Sequence, residues 1–107
     1  MAPLDVTALL QVDAAGRRRI FTQLTPLTNA LTLLYALWGH EHPTLHDPIA
    51  VALVFEPSLC EMEDMRIGVD AKGFIRIEAG PSANARVAVK TDPKKFIEFY
   101  LNRVAAP

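Results

Sequence analysis

All three histidines of this 107-residue chain fall in one short polar segment: His40, His42 and His46. The last is followed directly by Asp47 and Pro48. Histidine exchanges protons near neutral pH, and a carboxylate accepts hydrogen bonds or takes a cation. The residues behind them, 48–55, are apolar almost throughout and begin with proline, as many helices do. His46 and Asp47 therefore stand at the mouth of a buried helix, where free N–H groups and the helix dipole favour negative charge. Asp47 in that place can cap the helix, bind a cation, or do both. His46 can donate a proton. His42 and His46 are four apart, the spacing of a metal pair on a helix, but Pro43 and Pro48 argue against helix there. Cys60 has no histidine at a telling spacing and reads as a partly buried thiol. Arg17, Arg18 and Arg19 read as a solvated helix face, and Tyr35 and Trp38 as part of a core stripe.

Proline marks the elements that must position these residues. Thr25-Pro26, Asp47-Pro48 and Asp92-Pro93 each join an N-cap residue to a proline preorganised for the first helical turn. They predict helices over 26–38, 48–55 and 93–105, the first ended by Gly39. The last carries a buried stripe of Phe96, Ile97, Tyr100, Leu101 and Val104. Asp13 predicts a further helix over 14–24, with Ile20, Phe21 and Leu24 as its apolar positions and Gly16 weakening it. Residues 4–7 read as a short strand. Met65, Ile67 and Val69 alternate with polar neighbours, which is strand spacing. A turn over 70–73 leads to a second strand at 74–79, and the two form a hairpin. After a loop at 80–84, residues 86–90 alternate again, with Val87 and Val89 expected to point inward.

Half the residues are apolar and 21% are charged, which predicts one folded domain over 1–107. The formal net charge is −1 and the only basic run is 17–19, so nucleic acid is not an expected partner. A single cysteine excludes an internal disulfide and fits a reducing cytosol. The apolar stretches fall short of the roughly 20 residues of a membrane span, and no signal peptide is evident, so a cytoplasmic location is expected. The helices at 26–38 and 48–55 lack a polar face. Their surplus apolar surface predicts a homo-oligomer or a larger fold, with Leu34, Trp38 or Val54 at the contact.

Leu45-His46-Asp47-Pro48-Ile49-Ala50-Val51-Ala52 resembles the C-terminal signature of the inosine/uridine-preferring nucleoside hydrolases. Pro3-Leu4-Asp5-Val6-Thr7 is similar to the strand before this region in that family. Arg86-Val87-Ala88-Val89, Asp92 and the helix beyond are similar to its terminal strand and helix. The resemblance covers essentially the whole chain. It implies an α/β fold in which helices pack on a small mixed sheet with a β-hairpin. It also implies cleavage of the N-glycosidic bond of ribonucleosides to ribose and free base. A calcium ion would hold the ribose hydroxyls and the attacking water, with Asp47 among its ligands. His46 would face the base and protonate it as it leaves. The family's other calcium ligands and its general base come from an N-terminal D-x-D-x-x-x-D-D cluster. The aspartates here, at 5, 13, 47, 64, 70 and 92, do not form that pattern. The resemblance thus implies the C-terminal portion of a hydrolase, whether a truncated product, half of a split protein or an excised fragment. Such a chain is inactive alone, or else serves as a non-catalytic self-associating or partner-binding domain.

Overall fold

The cap chemistry read from the sequence sets most helix starts in the computed structural model, which describes residues 1–106. The Asp13 carboxylate accepts the Gly16 N–H at 2.8 Å and opens α2 (Ala14–Phe21). Thr25 and Thr28 exchange side-chain and backbone bonds in a reciprocal capping box at the start of α3 (Pro26–Trp38). Asp92 accepts the N–H groups of Lys94 and Lys95 at the start of α5 (Pro93–Val104). Gly39, with φ 73°, ends α3 in the left-handed region. Gly16 has a packing role. A Cβ there would meet Val12 Cγ1 at 2.9 Å and Leu101 Cδ1 at 3.3 Å, so its absence lets α2 lie close to α5.

Several expectations are corrected. Residues 4–7 form not a strand but a helical turn, α1 (Leu4–Thr7). The Pro3 carbonyl collects the N–H groups of both Val6 and Thr7, and burial falls on that adjacent pair rather than on alternate residues. α2 stops at Phe21 rather than running to residue 24. Leu24 adopts φ 54°, cannot continue a right-handed helix, and is exposed. Arg17 and Arg19 are partly buried; Arg19 reaches Glu98 and Asn102 on α5. Trp38 lies outside the core, 60% exposed.

β1 (Cys60–Met65) pairs antiparallel with β4 (Ala85–Thr91). Its sequence hides it, because three of its six residues are acidic and only Cys60, Met62 and Met65 are partly buried. Between Glu61 and Met62 the register on β4 jumps from Lys90 to Ala88. Val89 is the extra residue of this bulge and faces out, while Val87 and Ala88 are buried. That corrects the inward assignment of Val89. β2 (Ile67–Val69) and β3 (Ile75–Ile77) form the expected hairpin, closed by the Gly73 N–H on the Asp70 carbonyl. The Phe74 N–H, with help from the Lys72 N–H and the Arg76 guanidinium, holds the Asp70 carboxyl below the usual carboxylate range. Both strand pairs are antiparallel, so the α/β architecture carries two small sheets in place of one mixed sheet.

One core cluster joins Leu10, Val12, Leu45, Ile49, Leu59 and Phe96. A second joins Ile20, Leu101 and Ala105, with Leu31 and Tyr35 packed on it. Together they fix α4 and α2 against α5. The other faces stay open. α3 exposes Leu33, Leu34 and Leu37, and α4 exposes Val51, Phe55 and Val54, the last 85% accessible. The radius of gyration is 16.1 Å, against about 13 Å for a closed domain of this length. Among the described residues no helix is long and apolar enough to cross a membrane.

Candidate functional site

Two short extended segments bring the candidate residues together. The Val12 N–H donates to the Pro43 carbonyl at 3.0 Å, and the Leu45 N–H to the Leu10 carbonyl at 2.8 Å. Gln11 thereby faces Thr44 in an antiparallel bridge. This tie lays the end of α1 beside the start of α4 (His46–Phe55). Thr7 Oγ1 and His46 Nδ1 come within 2.6 Å. Thr7 is 1% exposed, whereas the rest of His46 reaches solvent. The hydroxyl can serve the ring in either protonation state. It can give its proton to a bare Nδ1, leaving the ring proton on Nε2. It can equally accept Nδ1–H from an imidazolium and turn its own proton to the Leu4 carbonyl, 3.4 Å away. A proton can therefore leave or reach Nε2 without the ring losing its anchor.

Asp47 is not the N-cap. α4 begins two residues earlier than its proline suggests, with Leu45 in the cap position and no side-chain cap bond. The physical reason is tertiary: Leu45 is buried in the core and its N–H is held by Leu10, which fixes where the helix can start. Asp47 lies in the first turn, exposed, at the positive end of the helix dipole, with its carboxylate free of capping. It also borders a groove of about 390 Å³ lined by Val51, Phe55, Phe99 and Tyr100. Arg103 closes the groove, its guanidinium 5.3 Å from the Phe55 ring centre and 5.4 Å from that of Phe99.

The remaining candidates stand apart. His42 lies in the loop before α4, so no helix aligns it with His46. The His40 ring packs on Trp38, with centroids 5.2 Å apart. Cys60 is a half-buried free thiol in β1. Among the described residues no group of three His, Cys, Asp or Glu side chains is placed to hold a metal. Calcium takes six to eight oxygens, and Asp47 offers one carboxylate. The residues present do not make a calcium cage.

No family model matches the chain. The curated relatives it resembles include the pyrimidine-specific ribonucleoside hydrolases RihA of Salmonella gallinarum and Citrobacter koseri, each 26% identical to it. The matches cover 97% and 98% of this chain and 39% of each relative. A solved plant nucleoside hydrolase superposes with a TM-score of 0.76 at 16% identity, over 97% of this chain and 40% of its own. The chain is a homologue of the C-terminal part of ribonucleoside hydrolases. This hydrolase-related chain spans about two-fifths of the length of the curated relatives it matches. The superposition shows the shared fold.

Two features of this hydrolase homologue escape the sequence pattern. Thr7 sits within the quoted Pro3–Thr7 motif, but nothing there says that its hydroxyl meets a histidine 39 residues away. Tyr35 and Tyr100 pair their hydroxyls at 3.1 Å between α3 and α5. Burial, then the Tyr100 hydroxyl, pushes the Tyr35 phenol above its ordinary range.

Proposed function

We propose that this chain supplies the C-terminal part of a ribonucleoside N-ribohydrolase site, cleaving the N-glycosidic bond to give ribose and a free base. The observation that carries this reading is the Thr7–His46 contact beside an uncapped Asp47. A departing base needs a proton, and an exposed imidazole anchored through Nδ1 can deliver one from Nε2. Asp47 is assigned as one carboxylate of a site whose other carboxylates lie outside this chain. Calcium enters only when that site is complete. Pyrimidine ribonucleosides, named for the curated relatives, are the first substrates to try.

The general base is absent from this reading of the chain, so the purified 107 residues are expected not to hydrolyse uridine, inosine or a nitrophenyl riboside. Metal-dependent turnover by the chain alone, lost in Asp47→Ala, would overturn the assignment of the remaining carboxylates to another polypeptide. A second reading is favoured by the exposed apolar faces of α3 and α4. In it the chain is a non-catalytic domain that associates with itself. Neither reading involves nucleic acid or a membrane, and both suit the cytoplasm.

A further inference from the structure

The Tyr35–Tyr100 pair is one hydrogen-bond acceptor short. Each phenol carries one proton, and the bond between the two oxygens, 3.1 Å apart, uses only one of them. Neither oxygen has another partner among the described residues. The second proton is therefore unmatched within the chain. A half-buried donor without a partner is costly, and an acceptor brought to it recovers that cost. The pair is also held in place. The Tyr35 ring meets the Phe21 ring edge-on, with centroids 6.2 Å apart. Tyr100 is carried by α5, which both core clusters secure.

Both tyrosines open on a groove of about 490 Å³ between α3 and the segment that leads into α4. Leu34 and Trp38, one turn apart on α3, line it together with Pro43 and Pro48. The indole and the proline rings offer surfaces on which an aromatic ring can lie. No charged side chain lines the groove, so an ionic ligand would lose its hydration and find no counter-charge. The volume and the lining, apolar with a few fixed polar groups, are those of a small-molecule site. His46 and Asp47 do not line it.

We propose that this groove binds a neutral, planar aromatic heterocycle whose ring nitrogen or carbonyl oxygen accepts the unmatched phenolic proton of the Tyr35–Tyr100 pair. The site stands independently of the hydrolase function proposed above.

The test titrates the full chain with quinoline, and with naphthalene as the same two-ring shape without an acceptor. Trp38 is the only tryptophan, so its indole N–H gives one NMR signal at the rim of the groove. The most dilute samples that give the signal are used, so that self-association competes least. Either single Tyr→Phe change leaves one proton free, so the test variant is Tyr35→Phe with Tyr100→Phe. Removing both partners of a buried bond is nearly neutral for stability, so the variant is expected to fold. Both compounds should shift the Trp38 signal saturably. The quinoline Kd is expected to rise about fivefold or more in the double variant, with the naphthalene Kd unchanged. No saturable shift with either compound overturns the proposal. So does a double variant in which both Kd values hold or both rise together. Uridine that displaces quinoline as well as quinoline itself binds would also overturn it, because the groove would then belong to the nucleoside site. The readout needs no turnover, so it separates from success or failure of nucleoside hydrolysis.

Discussion

Thr7 Oγ1 and His46 Nδ1 stand 2.6 Å apart across 39 residues of sequence, and the contact ties the first helical turn to the first residue of α4. It joins a side chain sealed in the interior to a ring that reaches solvent. Thr7→Val keeps the shape and removes the hydroxyl. The expected cost is about 1 kcal/mol of stability. The ring nitrogen signals of His46 in NMR should move toward a mixture of tautomers, and Thr7→Ser should restore them. Nitrogen signals unaltered by Thr7→Val would show that the bond does not hold the ring.

Asp47 and Asp92 both precede proline, but only Asp92 caps a helix. Asp92→Ala should cost about 1 kcal/mol in denaturant unfolding. Asp47→Ala loses only an exposed interaction with the helix dipole, about 0.3 kcal/mol. Equal costs for the two would put the Asp47 carboxylate back in a capping role.

The Tyr35–Tyr100 pair gives alkaline pH a defined effect. Burial raises the Tyr35 phenol in the folded chain, while the unfolded phenol ionises near its ordinary value of about 10. Above that value the unfolded state releases a proton that the folded state keeps. Stability is therefore intact below about pH 10 and falls as pH rises past it toward the folded value. Tyr35→Phe should flatten the fall in melting temperature between about pH 10 and 11. An identical fall in the variant would remove Tyr35 from the account.

Apolar side chains on α3 and α4 predict association of the isolated chain. Burying a large one is worth roughly 1.5–3 kcal/mol, and Leu34, Trp38 and Val54 all stand exposed. Sedimentation at micromolar concentration is expected to show a dimer or larger species, shifted toward monomer by Trp38→Lys with Val54→Lys. A well-behaved monomer that binds no hydrophobic dye would contradict this.

The legible part of the fold is the part set by neighbouring residues. Asp13, Thr25 and Asp92 announce their helices because a cap acts over three residues, and Gly39 and Gly73 announce their turns through positive φ. What failed to show depends on distant partners. β1 is held by β4, and its acidic residues conceal it. Val89 faces out because of a register jump that no single strand displays. Leu45 displaces Asp47 from the cap because the core holds Leu45 in place. His46 and Asp47 were legible as candidates through residue type and motif; Thr7 became one only through the fold.

The central claim is that His46 and Asp47 work within a hydrolase site once the rest of the fold is present. The most direct measurement replaces the C-terminal two-fifths of the Salmonella gallinarum relative with this chain and assays pyrimidine ribonucleoside cleavage in the presence of calcium. Turnover is expected, falling about 100-fold or more in His46→Ala and in Asp47→Ala. A folded chimaera without turnover, or with turnover indifferent to both substitutions, would contradict the claim.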